Sequence, residues 1–383
     1  MPETDTHPPH DGMREATQLT RAGRLTEATA LIQRTLRGGH EASPARSPAG
    51  PAKVASTVVG TARHTDGGHT RNAAGTRART TAPPSGRAAG PKPVTGRFVT
   101  GSLTNRAGTR SYKLYIPGAA TGLVPPLIVM LHGCTQDADD FAAGTRMNAL
   151  ADEHGFLVVY PQQSSQANPS RCWNWFKASE QQRGHGEPSI IADITREVAA
   201  SYNVDAHRIH VAGMSAGAAI AMTMATTHPE LYAAVGVHSG LAYGAASDLP
   251  SAVKVMRHGP ETPTDQPPVP RRTKAARRSV PVIVFHGDHD QTVNQRNAEQ
   301  VLRDSVSGTP LLSVHEGRQP GGLAYTRYLY REGDGATLAE GWSVHGLGHA
   351  WSGGASAGSY TDPRGPDASK HMVRFFAEHP QPR

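Results

Sequence analysis

Two cysteines in 383 residues, 5% aromatics and no long apolar run leave several protein classes without the residues they need. With only Cys134 and Cys172, the chain cannot build a four-cysteine zinc site or a disulfide-stapled scaffold. No stretch approaches the ~18 apolar residues of a membrane helix, so no transmembrane segment is expected. The opening Met-Pro-Glu-Thr-Asp-Thr-His-Pro-Pro-His lacks the basic start and apolar core of a secretory leader. Large apolar side chains are scarcest over residues 38–90, where Gly, Pro, Ala, Thr, Arg and Ser predominate. Such a stretch cannot bury enough surface to offset the entropy of ordering, and it reads as a disordered linker. A net charge of +7 would ordinarily invite a nucleic-acid reading. The excess, however, sits in two flexible stretches, 38–90 and 251–279, each with seven basic and two acidic residues. Neither interleaves aromatics with its cations, so solvation is expected rather than nucleic-acid binding.

Residues 1–37 form the first unit. Ala16, Leu19, Gly23, Ala28, Leu31 and Leu36 are spaced as on two short amphipathic helices, a helical hairpin resembling half of a tetratricopeptide unit. One such unit cannot bury its own apolar face and no further copies occur, which excludes a solenoid. The hairpin is expected to fold onto a partner or the main domain, or to dock on an apolar surface. From 91 to 383 the pattern alternates strands with helices. Strands are expected at Ser111–Ile116, Leu127–Leu131, Phe156–Tyr160, Arg208–Ala212, Ala233–His238, Val280–Phe285 and Trp342–His345. Helices are expected at Asp139–His154, Ser189–Tyr202, Ala216–Thr227, Gln295–Ser305 and Ala368–Glu378. That alternation predicts an α/β fold with an open, mostly parallel sheet, helices on both faces and ligands beyond the carboxyl ends of the strands. The Pro- and Arg-rich residues 257–279 read as a flexible insertion.

The chemistry gathers at those strand ends. Gly213-Met214-Ser215-Ala216-Gly217 follows an apolar strand and opens an alanine-rich helix, the setting in which a G-x-S-x-G serine becomes a nucleophile. A second match around Ser356 has no strand before it and no helix former after it, and reads as a glycine loop. A serine hydroxyl needs a base to take its proton and an acid to hold that base. Downstream stand His286-Gly287-Asp288-His289-Asp290 and Gly348-His349-Ala350-Trp351. The order Ser215, Asp290, His349 is that of α/β hydrolases. Asp288 competes with Asp290 at a spacing that does not decide between them. His345 competes with His349 but alternates with apolar residues as a strand residue does. No metal is expected at this histidine cluster, because zinc-type spacing is missing. The backbone N–H groups of Ala216 and Cys134 are the expected oxyanion donors. The patch Cys172-Trp173-Asn174-Trp175-Phe176 is the densest in aromatics, and Trp173, Trp175 and Trp351 are candidates for the substrate cleft. Cys134 and Cys172 are either bridged or two buried thiols, since pairing cannot be read from sequence.

The segments LHGCTQDADDFAAGTRMNALADEHGFLVVYPQQ, CWNWF, HVAGMSAGAAIAM, VFHGDHDQTV and GHAWSGG together resemble the esterase family of polyhydroxybutyrate depolymerases and feruloyl or acetylxylan esterases. The match runs from about Val94 to Glu378, and the tail HAWSGGASAGSYTDPRGPDASKHMVRFFAEH is most similar to the depolymerase branch. The resemblance implies an α/β-hydrolase fold, a cofactor-free serine esterase, and Ser215, Asp290 and His349 as its triad. It favours Asp290 over Asp288. The expected activity is hydrolysis of short-chain polyhydroxyalkanoate or oligomer esters through an acyl-enzyme. The alternatives are a feruloyl or acetylxylan-type carbohydrate esterase and, from another class, a noncatalytic protein docking on a granule or membrane. The expected partner is an ester substrate, as polymer, granule surface or small ester. Relatives are implied to be extracellular; the absent leader makes a cytoplasmic location the alternative.

Overall fold

The computed structural model describes residues 96–118, 124–260, 280–306, 309–333 and 335–382. The expected hairpin 1–37 and linker 38–90 lie outside them. So does most of the expected insertion; its first residues, Arg257 and His258, instead end a helix.

The chain enters through β1 (Arg97–Asn105) and β2 (Gly108–Ile116), an antiparallel hairpin closed by Arg106 and Ala107. The Asn105 side chain accepts the Ala107 N–H at 2.9 Å, and Gly108 takes the positive φ that ends the turn. Next come β3 (Leu127–Leu131), α1 (Ala138–Thr145), α2 (Met147–His154), β4 (Leu157–Pro161), α3 (Gly186–Ser201), β5 (Ile209–Met214), α4 (Ala216–Thr227) and β6 (Val235–His238). The second half holds α5 (Leu249–His258), β7 (Val282–Gly287), α6 (Arg296–Ser305), β8 (Leu311–Arg318), β9 (Ala324–Arg331) and β10 (Thr337–Val344). It ends with the short pair β11 (Trp351–Ser352) and β12 (Thr361–Asp362), then α7 (Ala368–Glu378).

Ten strands form one sheet in the order β1-β2-β4-β3-β5-β6-β7-β10-β9-β8. The six from β4 to β10 run parallel, with antiparallel strands on both flanks. Every residue of β3, β4, β5, β6 and β7 is buried, as near-continuous apolar strands covered on both faces must be. Alternate residues feed two cores. Leu127, Val129 and Leu131 pack with residues of α3, α4 and α6, while Ile128 and Met130 pack with α1, α2 and α7. Helix α4 is apolar all round and is buried along almost its whole length, its small side chains fitting between β5 and β6.

Three expectations are corrected. The helix expected over Asp139–His154 is two, divided at Arg146, whose φ is +54°. The Arg146 guanidinium donates to Gly353 O and to Asp367, each at 2.8 Å, so tertiary partners hold the break. Helix α5 was not expected, although Asp248 caps it, accepting the Ser251 N–H at 2.8 Å, and a proline sits in its first turn. Strands β1, β8 and β9, the two edge strands and the neighbour of one, were also missed, because they carry polar residues without strict alternation: in β8, Leu311, Leu312 and Val314 are all exposed.

Histidines hold much of the interior. His210 stacks on Phe376 at 4.7 Å, His238 on Trp351 at 4.9 Å, and His371 lies 4.3 Å from Trp342. Burial pushes all of them down: His210 and His238 to about 3, and His132, His228 and His371 to about 4, from 6.5. An imidazole whose folded value is depressed contributes stability that is fully present above 6.5 and lost as pH falls toward the folded value. Glu187 and Asp304, pushed up by burial, act in the opposite sense, but they are two groups against these five histidines and His286, which burial also pushes down. The urea midpoint is therefore expected to fall steeply between pH 6.5 and 4. A midpoint that stays level across that window would contradict the burial of these rings as neutral bases.

Candidate active site

Ser215 sits between β5 and α4 with φ +55° and ψ −121°, a conformation a side-chain-bearing residue rarely adopts. Its two glycine neighbours explain how the turn closes. A Cβ on Gly213 would stand 2.5 Å from Gly217 backbone atoms, and one on Gly217 would stand 2.0 Å from Leu131 O. No side chain fits either place, so α4 packs directly on the end of β3. Gly133 lies against the elbow too: its Cβ would come within 3.6 Å of Ser215 Cβ. That contact sets the loop after β3 beside the serine. Within the loop, buried His132 donates from Nδ1 to Gly133 O at 2.8 Å and accepts the Gln163 N–H at Nε2 at 3.1 Å. Cys134 is joined to Cys172 by a disulfide, which ties the loop to the aromatic segment Trp173–Phe176. As the first residue of α4, Ala216 has an N–H without an intrahelical acceptor. Among the described residues, the Cys134 N–H has no acceptor either. Both residues border the same cleft as Ser215.

The carboxylates and histidines sort themselves into two pairs. His349 Nδ1 lies 2.8 Å from Asp290 Oδ2, while Asp290 Oδ1 accepts the N–H groups of Thr292 and Val293, each at 2.9 Å. Burial would push the Asp290 carboxyl up. The nearby His349 and His286 and the Val293 N–H outweigh it and hold the group down at about 2. Asp288 instead meets His345, Nδ1 to Oδ2 at 2.8 Å, and accepts the Gly346 N–H at 2.7 Å. The two competing residues thus bind each other at the exposed end of β10, and neither borders the cleft. Gly287 lets the loop carrying His349 come close: a Cβ there would be 2.0 Å from Leu347 O. Ser356, centre of the second glycine motif, is exposed in a turn.

Ser215 and His349 face one cleft of about 300 Å³. Its apolar wall comes from Trp175, Phe176, Leu241, Leu249, Val253 and Met256, and its polar rim includes Asn168, Lys177 and Tyr360. Of the three tryptophans expected there, only Trp175 borders it. Trp173 is fully buried against His132, the rings 5.6 Å apart, while its neighbours Cys172 and Asn174 border the cleft. Trp351 is drawn into the core beneath α7. It lies between His238 and Phe141, and its Nε1 donates to Ser369 Oγ at 3.1 Å. The sequence reading missed Tyr360, 38% exposed with φ +51°, whose hydroxyl is 3.2 Å from Thr135 Oγ1. It also missed the wall from α5, which the capping pattern at Asp248 would have revealed. Among the described residues no group of three or more His, Cys, Asp or Glu is placed to hold a metal, and no helix is long and apolar enough to cross a membrane. The arrangement offers acyl-transfer parts: a hydroxyl on a strained turn, an imidazole held in one tautomer, and unpaired N–H donors.

Residues 110–321 match the family model described as Esterase PHB depolymerase. Poly(3-hydroxyalkanoate) depolymerase C of Paucimonas lemoignei is 32% identical over 232 residues, which are 58% of this chain and 54% of that protein. The chain thus spans about half the length of that relative. Feruloyl esterase B of Neurospora crassa is 32% identical over 272 residues, 66% of this chain and 86% of that one. Among solved structures, an acetyl xylan esterase from Aspergillus awamori superposes with a TM-score of 0.54 at 19% identity, covering 73% of this chain and 99% of its own. That likeness identifies the fold, an α/β hydrolase.

Proposed function

The chain belongs to the Esterase PHB depolymerase family, and from that premise we propose that it is a carboxylic ester hydrolase working through an acyl-enzyme on Ser215. The observation that carries this reading is Ser215 on its strained elbow in the same cleft as a His349 held by Asp290. In the proposed sequence His349 Nε2 takes the Ser215 proton as Oγ attacks the ester carbonyl. The Nδ1–H stays on the Asp290 carboxylate, which stabilises the imidazolium without accepting its proton. The N–H groups of Cys134 and Ala216 receive the developing oxyanion, each donor being worth about 3 kcal/mol in comparable sites. The imidazolium then protonates the leaving alcohol. Water attacks the acyl-enzyme by the same path, restoring Ser215.

For the substrate we propose short-chain 3-hydroxyalkanoate esters, as oligomers or amorphous polymer. Support comes from the apolar wall of Trp175, Leu241, Val253 and Met256 and from the similarity to poly(3-hydroxyalkanoate) depolymerase C. A carbohydrate ester is the second reading, favoured by the 86% of feruloyl esterase B that the alignment spans. Purified protein should release acid from amorphous poly(3-hydroxybutyrate) and its oligomers with a higher kcat/KM than from methyl ferulate or acetylated xylan. The reverse order would transfer the proposal to the carbohydrate esters.

A further inference from the structure

One histidine of the HGDHD segment has no part in the proposed reaction, yet it lies against the carboxylate that does. His286, at the end of β7, is fully buried. Its Nε2 is 2.7 Å from Val293 O and 3.5 Å from Asp290 Oδ2, the same oxygen that holds His349. A carbonyl can only accept, so Nε2 carries the hydrogen and Nδ1 the lone pair. That Nδ1 is buried without a partner. An orphaned polar atom in a core calls for an explanation. An apolar side chain of similar size would fill the place without orphaning a nitrogen; a histidine there leaves the Nε2–H as the group in use.

We propose that His286 is a positioning residue: its Nε2–H clamps the Asp290–Val293 turn and directs Asp290 Oδ2 toward His349. The clamp works from both sides of one short loop. Asp290 Oδ1 takes the Thr292 and Val293 N–H groups, while the Val293 carbonyl is held by His286. Released at the carbonyl, the turn can rotate and carry the carboxylate out of line with the base. The other titratable groups around His286 are His349, His238 at the end of β6 and Glu299 on α6. Burial keeps the ring in its neutral form. Behind it lies a separate cavity of about 300 Å³ between α6 and strands β7, β9 and β10, bordered by His286, Gln295, Leu302, Tyr328 and Trp342. That cavity gives a small molecule a way to the ring.

The inference rests on Asp290 being the acid, and the test separates the two. In purified His286→Ala, kcat for p-nitrophenyl butyrate should drop about 10²-fold with KM little changed, and added imidazole should restore about tenfold of it. Thiazole, a ring of nearly the same size and shape with no N–H, should restore nothing. Equal recovery with both, recovery with neither, or an unchanged kcat would overturn the proposal. Should His286→Ala fail to fold, His286→Gln, which keeps an N–H, should retain activity that His286→Leu loses; equal activities would again overturn it. Asp290→Asn run alongside reports on the acid itself. If that variant stays active, the triad reading fails; if it is inactive while His286→Ala is normal, only the present inference fails.

Discussion

Ser215→Ala is expected to remove hydrolysis of p-nitrophenyl butyrate, by about 10⁶ in kcat on the scale set by loss of a triad nucleophile in subtilisin. Ser356→Ala is expected to change it little. Both serines stand in G-x-S-x-G segments, and only the backbone distinguishes them. Ser215 is held at φ +55° between a buried strand and a buried helix, whereas Ser356 is exposed in a turn. Alanine at 215 keeps the elbow's steric demands and deletes only Oγ, so folding should be normal. Circular dichroism and a burst-phase assay for the acyl-enzyme would check this. Activity retained in Ser215→Ala and lost in Ser356→Ala would reverse the assignment.

Asp290→Asn should lose about 10⁴ in kcat, the penalty recorded when a triad acid becomes an amide that holds the wrong tautomer. The change is nearly isosteric, and the Thr292 and Val293 N–H groups keep an acceptor in the amide oxygen. Asp288→Asn disturbs the half-exposed pair with His345, a looser one with His289 at 4.0 Å and the bond from Gly346. Exposed pairs of that kind are worth under about 1 kcal/mol, so a slightly lower melting temperature at nearly full activity is expected. Because Asp290 is held at about 2, it stays ionised through mild acid, and loss of activity there must be traced to other groups. Comparable losses in the two asparagine variants would mean that the acid lies elsewhere.

What could be read from the chain follows from which forces are local. Helices α4 and α7 were expected at the bounds the structure gives them, since composition and flanking breaks decide both. The central strands announced themselves as continuous apolar runs because both of their faces are covered. Order and context singled out Ser215 and His349 as candidates, whereas only the family resemblance, not spacing, favoured Asp290 over Asp288. Two residues of spacing say nothing about which carboxylate the His349 loop reaches; the packing of Leu347 on Gly287 determines that. The cleft wall was least legible. Trp351 lies two residues from His349 in sequence, yet its ring is claimed by His238 and Phe141, while Tyr360, nine residues on, returns to the rim. Whether an aromatic faces core or solvent is a tertiary outcome, and no periodicity in a loop encodes it.

The parallel order of the central strands also sets a clock. Ser215 leaves β5, Asp290 leaves β7 and His349 follows β10, so the site exists only once strands far apart in sequence have paired. Such pairings demand large loop closures before any contact rewards them, and they form slowly. Helix α4 and the β1–β2 hairpin close locally and need not wait. During refolding, helical signal should therefore return well ahead of ester turnover, which makes activity a reporter of the last long-range strand to dock rather than of overall structure.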